Sequence, residues 1–143
     1  MNQYQPALKD GVAERGRAVF QKNCTPCHKF KEIGTEVGPS IAARQDKSND
    51  GLLREILDPN RAIDQRYISY VAVTSDGVVK TGILAEETGN AITLVGQNGE
   101  KTVLLRSQID SLTSSGKSLM PEGLEKQMTP AEVADLIKFL ATP

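Results

Sequence analysis

The sequence predicts a mainly α fold carrying an inserted antiparallel β-meander of about four strands. Three observations predict it. Apolar residues recur at helical spacing near both ends of the chain. The middle is β-branched and punctuated by hairpin-turn residues. A five-residue cluster, Cys24-Thr25-Pro26-Cys27-His28, closes the first helical stretch. At 143 residues one domain is expected, with helices and the cysteine-rich turn over 9–66, the β insert over 67–113, and a loop with a final helix over 114–143.

Over residues 9–23, Val12, Val19 and Phe20 fall at helical spacing together with small Gly16. A glycine inside a helix costs about 1 kcal/mol against alanine, so Gly16 is read as a point of close approach by another helix. Residues 31–44 are expected to form a loop punctuated by Gly34, Gly38 and Pro39. Ser48-Asn49-Asp50 offers capping side chains for a short helix with Leu52, Leu53, Ile56 and Leu57 on one face, and Asp58-Pro59 ends it.

The four strands are expected at residues 67–75, 78–85, 91–95 and 102–106. Asp76-Gly77 is a strong two-residue hairpin signal, Thr88-Gly89-Asn90 and Gln97-Asn98-Gly99 mark the later turns, and Gly82 suggests a bulge. The last helix starts at Thr129-Pro130-Ala131-Glu132, which combines an N-cap, a proline at the first helical position and a capping-box glutamate. Its apolar stripe is Val133, Leu136, Ile137 and Leu140, with Phe139 on the flank.

Cys24-Thr25-Pro26-Cys27-His28 spells C-x-x-C-H, the attachment sequence for a covalent c-type haem. On a helical turn, positions three and four apart share a face. Cys24 and Cys27 can therefore form thioethers with the porphyrin's vinyl groups while His28 binds the iron. A thiol–disulfide motif would instead follow a strand and open a helix in a βαβ setting, whereas here a helix precedes it. A zinc site would need a second Cys/His cluster to complete a tetrahedron, and the sequence has none.

His28 is the one histidine, so bis-histidine ligation within one chain is excluded. The sixth position falls to Met1, Met120, Met128, a lysine, water or nothing. Met120 is the favoured ligand, because Ser118-Leu119-Met120-Pro121 holds it in an extended loop where the proline forbids helix. Met128 directly precedes the N-cap of the last helix, where its direction is less free, and Met1 is terminal.

Seventeen basic and eighteen acidic side chains give a net charge of −1, which leaves no electrostatic footprint for nucleic acid. No apolar run approaches the roughly 20 residues of a membrane span. Both cysteines lie inside the motif, so neither is left for a structural disulfide. Covalent haem attachment in bacteria takes place outside the cytoplasm, which predicts a periplasmic or otherwise extracytoplasmic protein. The first residues lack the charged and apolar regions of a signal peptide, so the sequence reads as a mature form or a domain cut from a longer chain.

With the Gly16-to-Phe20 G-x-x-x-F pattern, C-x-x-C-H, the Gly38-Pro39 loop, the Met-Pro loop and the final helix, the chain resembles a mono-haem class I c-type cytochrome. The resemblance covers roughly residues 9–60 and 114–143. It implies a helical fold around one covalent haem c, with Phe139 packed where the first and last helices cross. It further implies that the Pro39 carbonyl accepts a hydrogen bond from the other ring nitrogen of His28, fixing the ring. The strand-rich middle departs from the minimal family and is similar to the haem-binding domain of planctomycete and verrucomicrobial proteins, often found at the end of large dehydrogenases.

The expected function is one-electron transfer through an iron held by His28 and Met120, in a protein that is not an enzyme. The alternative is a haem enzyme or gas sensor with an open sixth position. Expected partners are redox proteins or a fused or associated dehydrogenase, and the open edge of the β insert offers homodimer pairing. Arg61, Arg66 and Tyr67 are candidates for the haem propionates, and Lys22, Lys29 and Lys31 for a weakly steering ring around the haem edge.

Overall fold

Proline in the first turn of a helix loses no hydrogen bond, and Pro6 lies there in the short helix α1 (Gln5–Leu8). The computed structural model describes residues 3–142. Helix α2 spans Ala13–Asn23 and starts later than its periodicity suggests. Val12 is extended, with its N–H donated to the Asp135 carboxylate at 2.7 Å. At Gly11 a Cβ would sit 2.4 Å from the Ala134 carbonyl oxygen, so the chain must bend there without a side chain.

A tight hairpin follows, β1 (Lys29–Phe30) with β2 (Ile33–Gly34), inside a stretch whose sequence reads partly as loop. Its turn places Lys31 and Glu32 at φ of 51° and 66°, a conformation signalled by glycine or asparagine rather than by these residues. Helix α3 (Asn49–Leu57) is capped by the Ser48 hydroxyl, which accepts the Gly51 N–H at 3.1 Å.

Five antiparallel strands then form one sheet in the order β6-β5-β4-β3-β7. They are β3 (Ile68–Thr74), β4 (Val79–Glu87), β5 (Ala91–Val95), β6 (Lys101–Leu105) and β7 (Ile109–Ser118). With 35% helix and 29% strand the protein is not the mainly α class I cytochrome fold that the sequence predicts, nor is its sheet limited to four strands. The fifth strand accounts for part of the difference. Strand β7 is rich in serine and threonine and lacks apolar alternation, yet its backbone pairs with β3 from Ile68↔Ser118 to Thr74↔Ile109. Backbone pairing of this kind leaves no mark in side-chain hydropathy.

Helix α4 (Pro130–Ala141) carries a complete capping box: Thr129 N–H donates to Glu132 at 3.0 Å, and Glu132 N–H to the Thr129 hydroxyl at 3.1 Å. Helices α2 and α4 cross at Gly16, where a Cβ would lie 1.9 Å from the Asp135 carbonyl oxygen and 2.8 Å from the Phe139 Cβ. Phe20, Phe30 and Phe139 pack mutually with ring centroids 5.4 to 6.3 Å apart, edge-on and tilted as the ring quadrupoles favour. This helical core also takes in Leu52, Leu53, Val133 and Leu136. A second, smaller cluster of Ala72, Ile92, Leu94 and Leu104 belongs to the sheet alone.

Candidate haem-attachment site

The last turn of α2 runs directly into the motif. Cys24 N–H donates to the Phe20 carbonyl at 2.9 Å, and Cys27 and His28 N–H both donate to the Cys24 carbonyl, at 3.2 and 2.9 Å. The chain then folds back onto the turn it has just made. Val37 and Gly38 N–H donate to the Cys27 carbonyl at 3.0 and 2.6 Å, and Thr35 N–H to the His28 carbonyl at 3.1 Å. Gly38 permits this clamp, since a Cβ there would sit 2.8 Å from His28 Cε1.

His28 Nδ1 lies 3.1 Å from the Pro39 carbonyl oxygen. A carbonyl can only accept, so Nδ1 carries the proton and Nε2 is the nitrogen left for a metal. Burial pushes the imidazole's pKa down, with the Pro39 bond acting in the opposite direction. The neutral ring is the form that ligates. Burial pushes the Cys24 thiol up to about 12, with Cys27 adding to the rise, and it raises Cys27 as well. A dithiol redox motif needs lowered thiol pKa values, so this environment opposes thioredoxin-like use.

Cys24, His28 and Met120 share the wall of one cleft with the apolar side chains of Ile41, Leu52, Ile56, Leu136 and Leu140. Its cavity volume is about 150 Å³. A second opening shares Cys24, His28 and Met120 and adds Cys27 and Gln97. Cys24, the imidazole and the thioether thus line both openings and Cys27 the second, and these residues fit a covalent haem c. Met128 is buried in the helical core and lines a different hollow, with Tyr4 and Leu57. Met1 lies outside the described residues.

Three groups at the site escape the sequence reading. Arg44 lines the cleft and pairs with Glu55 at 3.5 Å. Of the residues expected near the propionates, Tyr67 lines the cleft, whereas Arg66 is taken by Asp64 at 2.8 Å and holds that carboxyl down to about 2. Gln97 and Asn98, in the turn between β5 and β6, reach over the motif: Asn98 N–H donates to the Pro26 carbonyl at 2.5 Å from a left-handed φ of 63°. Asn60 bonds the Met120 loop on both sides of the methionine. The Asn98 and Asn60 contacts join residues far apart in the chain, and no local pattern announces them. The proposed lysine ring is partly engaged as well: Lys31 Nζ sits 4.7 Å from the Phe139 ring centroid, and Lys29 pairs with Glu32 at 3.6 Å.

Comparison with known proteins agrees with the motif. Residues 11–66 match the family model described as cytochrome C oxidase, cbb3-type, subunit III. A cytochrome c-553-like protein of Synechocystis sp. is 40% identical over 52 residues, covering 36% of this chain and 48% of that protein. The chain therefore spans about half the length of this curated relative. The family match ends just before β3, so the sheet, the Met120 loop and α4 lie outside it. Over residues 11–66 the chain is similar to c-type cytochromes, and the cofactor this likeness supports is covalently bound haem c with its iron.

Proposed function

We propose that this chain is a mono-haem electron carrier in which Cys24 and Cys27 would hold the haem, and His28 and Met120 would ligate its iron. The observation that carries this reading is the convergence of His28 and Met120 on the same apolar cleft beside Cys24. Haem c, when bound, supplies an iron that gains and loses one electron.

The chain's own residues do the rest. Pro39 orients the imidazole and strengthens its donation through the Nδ1 proton. Met120 offers a neutral, soft sulfur, which favours the ferrous state and raises the potential. The apolar cleft walls exclude water and disfavour the extra positive charge of the ferric form. With His28 and Met120 both serving as ligands, no position would be left for a substrate, so the proposed role is transfer rather than catalysis. The rival reading is an enzyme or gas sensor whose sixth position is open.

The proposed partners are redox proteins or a fused or associated dehydrogenase. The placement is extracytoplasmic, as covalent haem attachment in bacteria requires, and no helix among the described residues is long and apolar enough to cross a membrane. Self-pairing would use an outer strand of the sheet, and on β6 Val103 is 67% and Leu105 47% exposed. A monomer by light scattering at high concentration removes that proposal.

Met120→Ala tests the ligation. The wild-type ferric protein is expected to show the weak near-red methionine–iron band and to resist carbon monoxide in the ferrous state. The variant is expected to lose the band, bind carbon monoxide rapidly and drop in potential by more than about 100 mV, within the roughly 0.8 V over which axial ligands act. Rapid carbon monoxide binding by the wild type would favour the open-site reading instead.

A further inference from the structure

We propose that Asn60 is the positioning residue for the Met120 ligand, a single carboxamide that holds the methionine loop at both ends. This rests on the proposed ligation by Met120.

Asp58-Pro59 ends α3, and the turn that follows presents Asn60 to the loop after β7. Asn60 Oδ1 accepts the Ser118 N–H at 2.8 Å, while its Nδ2 donates to Glu122 Oε1 at 2.5 Å. Ser118 lies two residues before Met120 and Glu122 two residues after it, so the amide spans the ligand. Ser118 also passes the restraint inward, because its hydroxyl accepts the Met120 N–H at 3.1 Å. Among the described residues, Leu119, Pro121 and Glu122 make no backbone–backbone hydrogen bond. The loop's own main chain therefore does little to fix it, and Asn60 supplies what is missing.

The chemistry selects this residue type. A side-chain amide offers an acceptor and a donor at once, and the two ends of the loop require one of each. A methionine side chain has three rotatable bonds, so it does not place its own sulfur. Holding the backbone on either side shortens the sulfur's search and slows its replacement by a competing ligand. Asn60 does not touch the metal and acts only through Met120.

Imidazole titration of the ferric holoprotein, followed by loss of the near-red methionine–iron band, tests the proposal. Asn60→Ala is expected to bind imidazole about tenfold or more tightly than wild type, the scale of losing one to two net hydrogen bonds. Glu122→Ala, which removes one of the two bonds, is expected to show a smaller gain. Glu122→Gln keeps the acceptor and is expected to match wild type. A merely structural Asn60 would lower the unfolding midpoint and leave imidazole affinity unchanged. Wild-type imidazole affinity in both alanine variants overturns the proposal, and Glu122→Ala decides alone if Asn60→Ala does not fold. A wild-type spectrum with no methionine–iron band overturns the ligation itself. A band present in wild type and lost in Met120→Ala, with Asn60→Ala and Glu122→Ala unaffected, overturns only the role of Asn60.

Discussion

Asp135 is a buried carboxylate in the middle of α4, and it ties the start of α2 to the last helix. It accepts the Val12 N–H at 2.7 Å and two bonds from the exposed Arg15 guanidinium, at 3.0 and 3.2 Å. The Arg15 bond holds the carboxyl below the usual carboxylate range, while burial pushes the other way. A carboxyl lowered on folding stabilises the protein above its unfolded value, near 3.9, and that stability is lost as pH falls through the folded value. Asp135→Asn is therefore expected to unfold at lower urea than wild type near neutral pH, by about 1 kcal/mol because the Arg15 end of the pair is exposed. The gap should narrow near pH 3; a gap that stays constant would mean the charge is irrelevant. Nothing local flags Asp135, since its partners lie more than 100 residues away. His28 differs, because its neighbours Cys24 and Cys27 sit at fixed spacing on the same turn and their chemistry is legible from five letters. Asn60 and the Gln97–Asn98 turn are illegible for a like reason, since their contacts lie far along the chain.

Helix α2 meets α4 backbone to backbone at Gly16, and the contact leaves no room for a methyl group. Because the obstructing atom is the Asp135 main-chain carbonyl, no rotamer change relieves the clash. Gly16→Ala gains helix propensity of about 1 kcal/mol locally, but overpacking of about 1–3 kcal/mol or more wins. Thermal unfolding of the holoprotein should show a lower Tm for the variant; an unchanged or higher Tm would mean the helices do not meet there. The close approach at Gly16 is readable because an interior glycine is anomalous in a helix. The hairpin turns of the sheet are readable through Asp76-Gly77 and Gln97-Asn98-Gly99. Strand β7 and the β1–β2 hairpin are not: the first is polar along most of its length, and the second turns through Lys31 and Glu32. Their pairing is made by backbone groups, whose partners the side chains do not declare.

At the scale of the whole molecule, two apolar clusters divide the fold. The helical core lines the cleft through Leu52, Ile56, Leu136 and Leu140, so a group filling the cleft would pack directly against it. The sheet buries Ala72, Ile92, Leu94 and Leu104 among its own strands. Protein made without haem attachment is therefore expected to lose amide protection in α3 and α4 while β3–β5 retain theirs. Equal loss in both parts by hydrogen exchange would show that the sheet depends on the filled cleft. The mainly α reading fails at this scale because the helical ends carry the strongest local signals, while the sheet's extent is set by long-range pairing. The most direct test of the central claim is the intact mass of the exported protein after extraction with acidified acetone, wild type beside Cys24→Ala/Cys27→Ala. The account predicts that the wild type keeps the mass of one haem and the double variant keeps none. A wild-type chain that emerges at its bare polypeptide mass, with the pigment in the solvent, would contradict it.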